Sequence, residues 1–105
     1  MTFNKLVRDK IPVILEEKGS KIKTYVCDDQ EYFKRLREKL LEEVNEFLED
    51  GAVEELADIL EVVYALAKVK NISKEDLEKI RREKEEKRGA FNEKIILLEA
   101  TRVEL

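Results

Sequence analysis

The chain has 105 residues, 21 of them basic and 25 acidic, with a formal net charge of −4 and 43% apolar side chains. That length fits a single domain over residues 1–105, and the apolar share is enough for a core, which excludes collagen-like, mucin-like and linker sequences. Histidine is absent and Cys27 is the lone cysteine, which excludes imidazole zinc sites, Ser–His and Cys–His nucleophiles, an internal disulfide and a cysteine metal knuckle.

Pro12 suits the first turn of a helix, and a short helix is expected from there to Gly19. Lys21–Cys27 alternates polar and apolar residues up to Tyr25 and predicts a short strand, with Cys27 as filling. Asp28 with Glu31 three residues later forms a capping-box-like start for a long helix from about Asp29 to Glu49, stopped by Asp50-Gly51. A second long helix is expected from Ala52 to about Lys70, ended by Asn71. Ser73 with Asp76 starts a third, running through Lys87 and terminated by Arg88-Gly89. Lys94–Leu105, with Ile95, Ile96, Leu97 and Leu98 in a row, predicts a strand. The fold class is therefore mainly α: an antiparallel helical hairpin plus further helices, with a small β element from the N-terminal and C-terminal segments.

Two of these helices place acids where leucines are expected. At 100° per residue Leu36, Phe33, Leu40, Val44 and Phe47 share one arc of the first long helix, and Glu43 falls inside it. Glu46 lies just outside that edge and Glu42 one step further. On the second long helix, apolar over most of its circumference, Glu55 lines up with Ile59, Val62 and Leu66, and Asp58 lies beside Val62. Folding the pair about Asp50-Gly51 sets Glu46 opposite Glu55 and Glu43 opposite Asp58.

Four carboxylates converging in a partly apolar setting need a cancelling charge. Oxygen ligands alone select a hard cation, Mg²⁺ or Mn²⁺, and Mg²⁺ keeps waters that substrate phosphates can displace. The plainer explanation is intrahelical pairing, in which Lys39 bridges Glu42 or Glu43. The acids of the second helix, at matching heights on an apolar surface, favour the metal site.

Leu41-Glu42-Glu43-Val44-Asn45-Glu46 followed by Glu55-Leu56-Ala57-Asp58 resembles the E-E-x-x-E … E-x-x-D signature of the all-α nucleoside triphosphate pyrophosphohydrolases, the MazG superfamily. The opening Asn4-Lys5-Leu6-Val7-Arg8-Asp9-Lys10-Ile11-Pro12 and the later Glu86-Lys87-Arg88-Gly89-Ala90-Phe91 are similar to its small phosphoribosyl-ATP pyrophosphohydrolase-like branch. The resemblance spans most of the chain. It implies a Mg²⁺-dependent enzyme that splits a nucleotide between its α and β phosphates, releasing the monophosphate and pyrophosphate. By motif position the metal ligands would be Glu43, Glu46, Glu55 and Asp58, with Glu42 either behind them or the base that deprotonates the attacking water; Glu42, Glu43 and Glu46 are thus the expected catalytic residues. The stretch from Phe47 to Glu54 is shorter than the usual family spacing and implies a tight hairpin, and Ala90 stands where a glycine is common.

Phosphate charge needs fixed cations, and Arg8, Lys10, Lys84, Lys87 and Arg88 are the candidates. Phe91 and Tyr64 could stack on a base, although core packing is the simpler expectation for both. Because the second long helix is apolar nearly all round, a homodimer with a four-helix core is expected, and the resemblance implies oligomers, a dimer or a dimer of dimers. The alternatives are phosphoribosyl-ATP hydrolysis in histidine biosynthesis, within the same chemistry, and a non-catalytic helical dimer that binds a partner or nucleotide. No run of 18 apolar residues occurs and the N-terminus lacks a signal-peptide core, so a cytoplasmic location and no membrane partner are expected. Net acidity argues against a nucleic-acid polymer as partner. The Glu- and Lys-rich composition resembles that of hyperthermophiles.

Overall fold

A computed structural model describes residues 3–101. The described residues form four helices in chain order: α1 (Ile11–Glu17), α2 (Asp29–Asp50), α3 (Val53–Val69) and α4 (Lys74–Arg88). The mainly α class is thus observed, and the helix limits follow the chemistry of the stop and start residues. Pro12 lies in the first turn of α1, where its missing N–H costs no helical bond. The Asp28 side chain accepts from the Glu31 N–H at 2.8 Å and caps α2. At the other end Gly51 adopts φ 68° and donates to the Phe47 carbonyl, and the Asp50 carboxylate receives the Ala52 N–H at 2.9 Å. An αL residue followed at once by a new helix gives the tight reversal on which α2 and α3 pack together.

Residues 1–74 and 75–105 form two compact units. Among the described residues of the first, the buried side chains are Leu36 on α2, Val62 on α3 and one charged group, Glu43. Leu41 and Leu48 on α2, with Val53, Leu56 and Leu60 on α3, stay exposed. In the second, α4 carries its charges outward and binds them to one another: Arg81 donates to Glu78 from Nε and Nη2 and to Glu85 from Nη1.

The expected β element is not present among the described residues. Lys21–Cys27 runs without regular structure, and so do the described residues of the Lys94–Leu105 segment, whose last four lie outside the described residues. An alternating pattern states which face of a strand would be buried, but a strand exists only where a neighbour completes its hydrogen-bond ladder. Here Val26 is 100% exposed and Leu98 91%, and among the described residues neither segment carries a fully buried apolar side chain. Phe91 is likewise 97% exposed rather than in a core, whereas Tyr64 is half-buried under the Lys74 ammonium. Cys27 is half-buried and free, in a segment that is not a strand.

Candidate metal centre

The packing of α2 on α3 brings three carboxylates together. One oxygen each from Glu43, Glu55 and Asp58 lies within 4.8 Å of the others. Glu43 is 7% exposed, in the interior stripe that starts at Leu36. Its Oε1 lies 3.4 Å from the Lys39 ammonium, while its Oε2 is buried and accepts no hydrogen bond. The Glu55 Oε2 is also buried without a partner. Two shielded carboxylate oxygens with nothing to accept from are costly in a folded chain, and a cation, a water or a proton relieves that cost.

The protonation of these groups reflects the same crowding. Burial first, and then the neighbouring Glu46 carboxylate, push Glu43 above the ordinary carboxyl range. Glu55 is pushed up to about 7, by desolvation first and then by the Glu46 carboxylate beside it. Glu46 therefore faces Glu55 but adds no oxygen to the converging group of three. Glu42 behaves oppositely: Lys5 Nζ donates to its Oε1 at 2.8 Å and Lys39 Nζ lies 3.1 Å from its Oε2, so its carboxyl is held below the usual range, chiefly by Lys5. That direction suits a permanent anion that fixes two lysines better than a proton acceptor.

Of the expected phosphate-binding cations, Arg8 reaches the cluster. Its Nη2 lies 3.7 Å from Asp58 Oδ1 and 4.0 Å from Glu61 Oε1. Lys10 is exposed at the start of α1 and has no ion pair in the structure with these acids. Lys84, Lys87 and Arg88 are exposed on α4, in the second unit. Lys39 pairs with Glu42 and Glu43 as the plainer explanation expected, yet this leaves Glu43 Oε2 and Glu55 Oε2 unsatisfied, so intrahelical pairing does not account for the cluster.

Sequence reading missed Lys5 as a site residue. Beside it, Asn4, Lys5 and Leu6 with Arg35, Glu38, Lys39 and Glu42 line a cleft of about 140 Å³ between the N-terminal segment and α2. The Lys5–Glu42 contact joins positions 37 apart, which no helical spacing reveals; the visible signal was only the run of cations Lys5, Arg8 and Lys10. Compared with protein-family models, curated proteins and solved structures, the chain finds no match in any of the three.

Proposed function

We propose that the chain is a Mg²⁺-dependent nucleotide pyrophosphohydrolase, cleaving between the α and β phosphates to give the monophosphate and pyrophosphate. The observation that carries this reading is the buried, unpartnered Glu43 Oε2 set among the oxygens of Glu55 and Asp58, with the guanidinium of Arg8 beside it. The donor set consists of carboxylates alone, which fits Mg²⁺, with Mn²⁺ as its closest substitute. A bound Mg²⁺ would supply charge cancellation at the phosphates and acidify a water.

The chain's own residues carry the rest. Glu43, Glu55 and Asp58 would hold the cation, and in doing so stay ionised. Glu46 faces Glu55 without joining the group of three, and is the carboxylate best suited to take the proton from the attacking water. Lys5, on Glu42, and Arg8, on Asp58, would supply the positive charge that phosphate oxygens call for. Positioning and electrostatic stabilisation are sufficient for such a reaction, with no covalent intermediate.

The exposed apolar residues of the hairpin favour a homodimer. Leu41 with Leu48, and Val53 with Leu56 and Leu60, form a stripe on each helix at matched heights, while only Leu36 and Val62 are buried apolar side chains among the described residues. Two hairpins joined on these stripes make a four-helix core, either as a dimer or within a dimer of dimers. Sedimentation at micromolar concentration is expected to give at least twice the chain mass; a monomer near 12.4 kDa would contradict the assembly. No helix among the described residues is long and apolar enough to cross a membrane.

The reaction is tested by a pyrophosphate-release screen across nucleoside triphosphates and phosphoribosyl-ATP with Mg²⁺ and Mn²⁺. Release from at least one of them, lost in a folded Asp58→Asn variant, is the expected result. If no nucleotide is cleaved, a non-catalytic helical module is left as the reading; selective cleavage of phosphoribosyl-ATP would favour the histidine-biosynthetic step.

A further inference from the structure

The N-terminal segment before α1 has no regular structure of its own, yet it is held at a defined place. Arg35 on α2 donates from Nη1 to the Asn4 carbonyl at 3.1 Å and from Nη2 to Asn4 Oδ1 at 3.2 Å. Its Nε donates to Glu31 Oε2 at 3.2 Å, and the Tyr25 hydroxyl donates to that same oxygen. The guanidinium is thus held on its own helix by Glu31, itself bonded by Tyr25, and by Glu38, whose Oε2 lies 3.7 Å from Nη1, while Nη1 and Nη2 grip Asn4. Asn4 has φ 46°, a left-handed conformation that asparagine tolerates better than most residues. The next residue is Lys5, on Glu42, and four positions after Asn4 comes Arg8, on Asp58.

We propose that Arg35 is a positioning residue: through Asn4 it anchors the segment that carries Lys5 and Arg8, and so keeps both cations aimed at the polyphosphate of a nucleotide bound at the carboxylate cluster. The inference rests on the reaction proposed above. Without the clamp the segment is tied to the hairpin by half-buried Leu6 and by the partly exposed ion pairs of Lys5 and Arg8, the kind that contributes little, and more of its ordering falls to each binding event. With the clamp that ordering is already made. Lysine cannot replace Arg35, because one ammonium does not span a carbonyl, an amide oxygen and a carboxylate in a single plane.

The test uses the full chain and two readouts, one of which needs no activity. Trypsin cleavage after Lys5 and Arg8, followed by mass spectrometry, reads how often the segment opens. Arg35→Ala is expected to be cut there about tenfold faster than wild type, with cleavage at Lys68 in α3 unchanged. Its KM for the cleaved nucleotide is expected to rise about tenfold while kcat holds within about twofold. Arg35→Lys should behave like Arg35→Ala, and in a Lys5→Ala/Arg8→Ala background Arg35→Ala should add nothing further to KM. Should Arg35→Ala not fold, Asn4→Gly keeps the backbone conformation, removes Oδ1, and is expected to shift both readouts in the same direction by less.

Unchanged cleavage after Lys5 and Arg8, or a fall in kcat alone, would overturn the clamp. Additive effects of Arg35→Ala and the lysine–arginine pair would overturn it as well. A wild-type chain that releases no pyrophosphate but shows the protection at Lys5 and Arg8 would overturn the reaction and leave the anchoring standing. An active wild type whose Arg35→Ala variant is neither cut faster nor weaker in binding would do the reverse.

Discussion

The α2–α3 hairpin and α4 are both rich in charge, and they treat it in opposite ways. On α4 each acid that meets Arg81 is three or four residues away on the same helix, exposed, and fully matched: Glu78 and Glu85 share one guanidinium, and Arg81 holds Glu78 below the usual carboxyl range. On the hairpin, Glu43 meets Glu55 and Asp58 across two helices, with shielded oxygens that no protein group satisfies. The difference lies in phase on the wheel rather than in composition. An acid on the solvent side finds a basic neighbour at i±4 and asks for nothing more. An acid on the packed side meets other acids, and its charge is left to a ligand or a proton.

Four outcomes would sharpen or break this contrast, and the largest concerns activity. Asp58→Asn or Glu43→Gln is expected to lower pyrophosphate release by about a hundredfold or more, whereas Glu78→Gln on α4 should leave it unchanged. Equal losses on the two helices, measured as initial rates on folded protein, would erase the distinction. Next comes ligand-linked stability. Mg²⁺ at about 100 times its dissociation constant should stabilise the chain by about 2.7 kcal/mol in urea or thermal unfolding, and the gain should vanish in Glu55→Gln.

Proton linkage follows from the same acids. Glu55 is raised to about 7 and Glu43 is raised as well. Both bind protons more tightly in the folded chain than in the unfolded one, so each contributes stability at low pH that is lost as pH rises; for Glu55 that loss comes as pH rises through about 7. The metal-free chain should therefore unfold at higher urea at pH 5.5 than at pH 8, and Glu55→Gln should flatten that slope. A chain that gains stability between pH 5.5 and pH 8 would contradict the assignment. The smallest effect is reserved for α4: Arg81→Ala removes an exposed pair of the kind that contributes little, and the unfolding midpoint should stay within experimental scatter.

How far the sequence disclosed this molecule depends on the range of the interaction involved. The ends of the helices are local chemistry and were legible: Asp28 accepts from the Glu31 N–H, Gly51 takes φ 68° after Asp50, and Asn71 turns left-handed at φ 61° beyond α3. The meeting of Glu43 with Asp58 was legible too, because a tight hairpin turns helical phase into height. Strands were not, since Lys21–Cys27 and Ile95–Leu98 have the pattern of a strand face while nothing in the pattern supplies the neighbouring strand. The anchoring of Asn4 by Arg35 was hidden for a related reason: it links an irregular segment to a helix 31 residues away, where no periodicity applies. Glu31 shows both cases at once. Its N–H made the expected cap with Asp28, and its carboxylate, free to look elsewhere, took Tyr25 and Arg35.

The central claim is that the three convergent carboxylates bind a divalent cation, and a Mn²⁺ titration followed by electron paramagnetic resonance tests it without reference to any substrate. Saturable binding to the wild-type chain is expected near neutral pH, abolished in Asp58→Asn and weakened as pH falls through about 7, where Glu55 takes up its proton. Identical binding to wild type and Asp58→Asn, or none to either, would contradict it.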